Sequence, residues 1–172
     1  MGAIAHHCVA KKQRARIVKK IGEPFTPRRH SMKLSPAYRV LSLYARRVLD
    51  AIEVELEKHA GRDNGQLIVP YKTLRAYCCT ANDRILAYAI RELEALGFIE
   101  VIRGHAGNGA ERKPNMFGLT YVPGHNGRPP TDDWKEISTL EEAQARLAAS
   151  RKKRPQNEWF KAANIIGFPR KS

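Results

Sequence analysis

Residues 70–104 read PYKTLRAYCCTANDRILAYAIRELEALGFIEVIRG. Apolar residues recur in this segment at the three- and four-residue spacing of one helical face: Leu86, Ala89, Ile90, Leu93 and Leu96. A shorter helix is expected over residues 73–77, and residues 78–81 interrupt the chain between the two helices. Gly97 can end the longer helix, because glycine readily adopts the left-handed conformation. The segment therefore predicts two consecutive helices joined by a short turn.

Short apolar runs lie on either side of these helices. Residues 67–69, LIV, predict a short strand that ends at Pro70. FIEVI at residues 98–102 and FGLTYV at residues 117–122 predict two further strands. A hairpin needs only about two to five residues to turn, yet residues 104–114 form a long, basic, glycine-rich loop. We expect so long a loop either to have no binding role or to contact another molecule.

An earlier helix is predicted from Ser35, which can act as its N-cap with Pro36 at the first helical position. One face of this helix is apolar: Ala45, Val48, Leu49, Ile52 and Leu56. A break is expected near Ser42, and Gly61 can end the helix. The predicted order is thus helix, short strand, short helix, longer helix, strand, long loop and strand.

This order resembles the winged helix-turn-helix fold, an α+β fold of three helices and a small antiparallel wing sheet. The resemblance rests on residues 70–104 and on KPNMFGLTYV at residues 113–122. The passage RELEALGFIEV is typical of a recognition helix that leads through glycine into the first wing strand. Residues 35–122 also resemble uncharacterised bacterial winged-helix proteins of plasmids and integrated elements, a family with no established activity. The resemblance implies that residues 104–114 are the tip of the wing and contact DNA.

The positive charge is concentrated at the two ends of the chain. The 172 residues carry 31 Lys and Arg against 17 Asp and Glu, a formal net charge of +14. Residues 1–34 hold nine basic residues and one acidic residue, residues 35–127 hold twelve and ten, and residues 128–172 hold ten and six. A nearly neutral centre with basic flanks is typical of a folded module whose extensions bind a polyanion. Basic flanks that only increase solubility are the other interpretation.

Composition divides the chain into five segments. They are a basic, mostly disordered arm (1–34), the winged-helix domain (35–122), a linker (123–130), a C-terminal helical extension (131–154) and a tail (155–172). In the extension, Thr139 and Glu142 have the spacing of a capping box. Its apolar residues are expected to pack on the domain or on a second subunit: Trp134, Ile137, Leu140 and Leu147. The apolar residues of the tail can dock on this chain or on a partner: Trp159, Phe160, Ile165, Ile166 and Phe168.

The strongest candidates for DNA contact lie on the longer helix, opposite its apolar stripe. Arg84, Tyr88 and Arg91 share one face at i, i+4 and i+7 spacing. The N-terminal part of a recognition helix meets base edges, so Asn82 and Arg84 are the candidate base readers. Arginine can form a fork of hydrogen bonds to guanine, and asparagine can do the same to adenine. Tyr88 and Arg91 can reach phosphates, and an ordinary solvated helix face is the alternative.

Basic residues around this helix are further candidates for backbone phosphates. They are Lys72 and Arg75 on the short helix, His105, Asn108, Arg112 and Lys113 in the loop, and Lys11, Lys12, Arg14 and Arg16 in the N-terminal arm. A solvated surface is the alternative for the short helix, and an idle hairpin tip is the alternative for the loop. The arm is also compatible with RNA or with an anionic membrane surface.

Catalytic and metal-binding motifs are not recognised in the sequence. Cys78 and Cys79 lack C-x-x-C spacing, and His6, His7 and Cys8 are adjacent rather than spaced. We therefore expect no enzyme activity and no cofactor, and we expect one of the paired cysteines to pack beneath the helix-turn-helix. The chain has three cysteines, no recognisable secretory signal and no apolar run of about 18 residues. These features favour a location in the bacterial cytoplasm, in association with the nucleoid.

These patterns predict a protein that binds double-stranded DNA sequence-specifically, as a transcriptional regulator or accessory factor of a mobile element. A replication-initiation protein is the alternative within the same class, because plasmid initiators also use winged helices. A protein-interaction module is the alternative from another class, in which the winged helix and the apolar tail are docking surfaces. The C-terminal extension is the expected contact with a protein partner or in a homodimer.

Overall fold

The computed structural model describes residues 28–104 and 114–151. Within these ranges the chain is α+β, with six α-helices and one two-stranded antiparallel sheet. The helices are α1 (His30–Leu34), α2 (Pro36–Arg39), α3 (Leu43–Lys58), α4 (Tyr71–Cys78), α5 (Asp83–Ala95) and α6 (Leu140–Arg151), and the strands are β1 (Ile99–Ile102) and β2 (Met116–Leu119). Two 3-10 turns, His125–Gly127 and Asp133–Glu136, connect β2 to α6.

The folded structure begins before Ser35, within the segment that the sequence assigned to a disordered arm. Residues 30–34 form α1, and its Met32 side chain is fully buried. Arg28 donates to the Glu53 carboxylate at 2.6 Å and also pairs with Asp50. Composition missed this segment because its partners lie more than twenty residues away on α3. The other residues of the expected arm, 1–27, lie outside the described residues.

Serine caps divide the predicted first helix into separate pieces. Ser35 Oγ accepts a hydrogen bond from the Tyr38 N–H at 3.2 Å, with Pro36 at the first position of α2. Ser42 Oγ accepts from the Ala45 N–H at 3.2 Å and starts α3, which confirms the expected break. Both caps satisfy backbone N–H groups that a helix start leaves without partners.

The apolar stripes of α3 and α5 meet in one core. Every residue of the two predicted stripes is buried, and so is Phe98, which follows α5. Gly97 ends α5 with a φ of +74°, as expected. A Cβ at this position would lie 2.7 Å from the backbone nitrogen of Trp134, so Gly97 also permits the close approach of the C-terminal segment.

The two-stranded sheet is shorter than the sequence predicts. β1 and β2 pair antiparallel, with Ile99 opposite Leu119 and Ile102 opposite Met116. The predicted strand at residues 67–69 is reduced to a single bridge between Leu67 and Phe117. Beside this bridge the buried side chain of Asn64 bonds the backbone of β2 and of the residues after it, and its Oδ1 accepts from the Leu119 N–H at 2.6 Å. The sequence predicted a turn at Asn64, and the structure shows that the Asn64 side chain attaches this turn to the sheet.

The C-terminal extension belongs to the same core as the central helices. Trp134, Ile137 and Ala143 are buried there, and α6 packs against α5. Thr139 Oγ1 accepts from the Glu142 N–H at 3.1 Å, while the Glu142 carboxylate accepts from the Ser138 N–H at 3.2 Å, so the reciprocal bond of the capping box forms one residue early. The segment predicted as a linker is held as well, since the His125 N–H donates to the Asn64 carbonyl at 2.8 Å. No helix in the described ranges is both long and apolar enough to cross a membrane.

Candidate nucleic-acid interface

The helix α5 buries one face and exposes the opposite one. Leu86 and Leu93 are fully buried against the core. On the other side Arg84 is exposed, Tyr88 is 41% exposed and Arg91 is half-buried. The structure therefore brings these three predicted contact residues onto one accessible face.

The acidic side chains of α5 are all held by other groups. Asp83 accepts two hydrogen bonds from Arg75, at 2.6 and 2.8 Å. Glu94 pairs with Arg103 at 2.6 Å. Glu92 is only 4% exposed and caps the start of α3, where it accepts from the backbone and the hydroxyl of Ser42, both at 2.8 Å. None of the three carboxylates is left to neutralise the exposed face.

Arg84 and Arg91 have no carboxylate partner among the described residues. The Arg91 guanidinium stacks over the Tyr88 ring at 4.6 Å, and its Nε donates to the Ala87 carbonyl at 3.2 Å. Such stacking holds the planar group in place while the terminal N–H groups stay free for a ligand. These terminal groups make no hydrogen bond within the described residues, and the same is true of the Arg84 guanidinium.

Asn82 is the N-cap of α5, a role for which its sequence position, like that of Thr80, already made it a candidate. Its Oδ1 accepts a hydrogen bond from the Arg84 N–H at 3.0 Å. A fork to adenine requires both the oxygen and the nitrogen of an asparagine amide. Reading adenine would therefore require Oδ1 to share its acceptor capacity with the Arg84 N–H, and loss of that cap would cost about 1 kcal/mol. Of the two candidate base readers, Arg84 is the one whose side chain makes no hydrogen bond among the described residues.

The two basic residues of α4 differ in availability. Lys72 is exposed and has no acidic partner in the described ranges. Arg75 is bound to Asp83, and hydrogen bonds from this guanidinium lower the pKa of the Asp83 carboxyl. A phosphate that binds Arg75 must compete with Asp83, because both are anions that take the same fork.

The turn between α4 and α5 is shaped by the two adjacent cysteines. Cys78 is fully buried, as expected of one member of the pair, and burial raises the pKa of its thiol. Cys79 is exposed, and its φ of 52° gives the left-handed turn that ends α4. Arg47 of α3 donates to the Cys78 carbonyl at 3.0 Å and holds the end of α4. The sequence did not identify Arg47, whose role depends on a contact thirty-one residues away.

A crevice of about 230 Å³ separates α5 from the ends of β1 and β2 that adjoin the 104–114 loop. Arg91 and Arg103 both line it, together with Tyr71 and Asn115. Asn115 Oδ1 accepts from the Gly104 N–H at 3.3 Å and joins the two ends of the 104–114 loop. The crevice thus collects polar side chains from α4, from α5 and from both ends of the 104–114 loop. The sequence did not identify Arg103, Tyr71 and Asn115 as contacts. In the sequence these residues are marked only by their positions, Tyr71 beside the short helix and Arg103 and Asn115 beside the two predicted strands.

The remaining predicted contacts lie outside the described residues. They are His105, Asn108, Arg112 and Lys113 of the 104–114 loop and Lys11, Lys12, Arg14 and Arg16 of the N-terminal segment. The loop begins and ends beside the crevice, since Arg103 and Asn115 directly flank its ends. The described residues contain no group of three His, Cys, Asp or Glu side chains arranged to hold a metal ion.

Comparisons with known proteins return no significant match to this chain among family models, curated proteins or solved structures.

Proposed function

We propose that the protein is a winged helix-turn-helix protein that binds double-stranded DNA. In this proposal α4 and α5 are the helix-turn-helix, α5 is the recognition helix, and β1 and β2 are the wing. The element order, the tight turn at Cys79 and the sheet that directly follows α5 all support it. The observation that carries it is the exposed face of α5, where two arginines have no acidic partner among the described residues.

Each group has a role that fits its surroundings. Arg84 near the start of α5 reads a base edge, because a recognition helix enters the major groove by its N-terminal end. Arg91 is held by Tyr88 and binds a phosphate at the crevice, and Lys72 binds a phosphate from α4.

The part of the chain that the structure describes holds 17 basic and 14 acidic residues, so +11 of the +14 belongs to the other segments. Those segments supply the long-range attraction, while α5 supplies the site.

The wider role that we propose is that of a transcriptional regulator or accessory factor of a mobile element. This role rests on the resemblance of the central block to bacterial mobile-element proteins. A replication initiator would use the same interface, since a fold by itself does not set the function. Identification of the bound sequence distinguishes the two roles, because an initiator binds at a replication origin and a regulator binds at a promoter.

Titration of duplex DNA with the full chain at several salt concentrations tests the proposal. If about six phosphates are engaged, log K falls with log salt at a slope of about −5. A slope near zero, or no binding at low salt, would overturn the proposal. Competition by single-stranded DNA and by RNA of equal length is the control, and duplex DNA should compete best.

A further inference from the structure

A second concave surface lies on the other flank of α5, away from the wing. It is a groove of about 410 Å³ between the start of α3, the middle of α5 and the end of α6. Tyr44, Ile85, Tyr88 and Ala89 give it an apolar lining. Its one acidic group, Glu92, is already bound to Ser42. The groove therefore presents an apolar surface to solvent and suits an apolar occupant.

The position of Arg151 shows which segment starts at this groove. Arg151 is the last residue of α6 and lines the groove. The chain that follows it therefore leaves from the groove itself. Trp159 is eight residues further on, and an extended chain of that length spans about 26 Å. Every point of the groove is within reach of Trp159 and Phe160.

We infer that the groove binds the apolar segment of the C-terminal tail of the same chain, residues 159–168. This segment holds five large apolar side chains: Trp159, Phe160, Ile165, Ile166 and Phe168. A short tether gives an effective concentration on the order of millimolar, so even a weak contact is populated. A second copy of the chain would have to bind from dilute solution without this advantage. The inference does not depend on DNA binding, although the tail would then cover Tyr88.

Site-specific photo-crosslinking of the full chain, without DNA, tests this inference. Tyr88 is replaced by p-benzoylphenylalanine, and peptides joined after irradiation are identified by mass spectrometry. The matched control carries the same replacement at Tyr77 on α4, which is 43% exposed compared with 41% for Tyr88. Position 88 should yield about tenfold more crosslinks to residues 155–172 than position 77, because the tethered tail occupies the groove.

Mixing chains of natural and heavy isotope composition separates the two possible occupants. Crosslinks within a single isotope form support the tail of the same chain, and mixed pairs mean that a second copy occupies the groove. Mixed pairs, equal yields from positions 77 and 88, or no tail peptide would each overturn the inference. None of these results bears on the salt dependence of DNA binding, so the two proposals fail separately.

Fluorine NMR of the full chain labelled with 5-fluorotryptophan gives a second measurement. Trp134 is buried and serves as the internal reference, and Trp159 reports on the tail. Ile85→Glu places a charge in the groove and should shift the Trp159 resonance towards its position in unfolded protein. Ile68→Glu, at a site 43% exposed and outside the groove, should leave it in place. An unchanged Trp159 resonance in Ile85→Glu would contradict the inference.

Discussion

Arg28 and Arg84 carry the same charge in opposite surroundings. The Arg28 side chain is 15% exposed and lies between Asp50 and Glu53, within hydrogen-bond distance of the Tyr38 hydroxyl. Its pKa is raised, because the bonds to Glu53 and Asp50 outweigh the opposing effect of burial. Arg84 is exposed and has no carboxylate partner among the described residues. The difference shows that Arg28 holds the fold together, whereas Arg84 is available to a ligand.

The network around Arg28 extends through Glu53 to a buried tyrosine, Tyr121. Glu53 also accepts a short hydrogen bond from the Tyr121 hydroxyl, and burial raises the pKa of Tyr121 well above its usual value. Glu53 itself is only 6% exposed. A buried carboxylate of this kind is costly without its cation. The pairing therefore joins the segment before α1, α3 and the chain just after β2.

The largest effect is expected from Arg28→Met. This change leaves Glu53 buried without its cation, and the free energy of unfolding should fall by about 3 kcal/mol. Urea denaturation followed by circular dichroism measures it, with Arg84→Met as the matched control. The control should change stability by less than about 0.5 kcal/mol. Equal losses in the two variants would contradict the contrast between the two arginines. Adding Glu53→Gln to Arg28→Met should restore part of the loss, because the buried charge is then removed.

Arg84→Ala should have the converse effect, on DNA rather than on folding. Loss of a base contact should weaken binding to the preferred site by about 1–3 kcal/mol and relax specificity at one position. Fluorescence anisotropy on the preferred site and on random duplex measures both. Arg62→Ala, which removes an exposed arginine from the turn after α3, is the control and should leave specificity unchanged. Equal losses on the two duplexes would make Arg84 a phosphate contact instead.

A smaller effect is expected at Asp132, which belongs to the paired part of the molecule. Burial acts to raise the pKa of Asp132, but hydrogen bonds from Lys135 and Arg29 lower it overall. A carboxyl with a lowered folded pKa stabilises the protein above its unfolded pKa of about 4, and this contribution disappears as pH falls through the folded pKa. Asp132→Asn should therefore cost about 1 kcal/mol at pH 7 and almost nothing near pH 2.

Urea denaturation at several pH values checks this expectation. Asparagine tolerates the left-handed backbone of residue 132, whose φ is 53°, so the charge is the main change. Asp133→Asn is the control at the next residue, which has no ion pair in the described ranges. A loss that stays constant with pH would show that the charge of Asp132 is not responsible.

The smallest effect is expected from Asp83→Asn. This change releases Arg75 for a phosphate, so DNA affinity should rise and the salt slope should steepen by about one unit. Glu141→Gln removes an equal charge from an exposed site at the start of α6 and is the matched control. Titrations at several salt concentrations compare the two variants with wild type. If both variants steepen the slope equally, general repulsion rather than the release of Arg75 is responsible.

Local patterns predicted most of the elements. Some features depend only on spacing and on residues within one helical turn, so they could be found in the sequence. They are the apolar stripes of α3 and α5, the caps at Ser35 and Ser42, and the end of α5 at Gly97. Arg84, Tyr88 and Arg91 were placed on one face for the same reason. The bridge at Leu67 could not be distinguished from a longer strand, because its length depends on where Phe117 lies.

The tertiary structure decided which charges are free. In the sequence Arg28, Arg75, Arg84 and Arg103 are equivalent basic residues, and only folding brings carboxylates to three of them. Folding also joined Arg103 and Asn115 to Arg91 at one crevice. Charges interact through space and weaken with distance rather than with separation along the chain. The sequence by itself therefore determined the helices and their apolar faces, while the exposed cationic site required the fold.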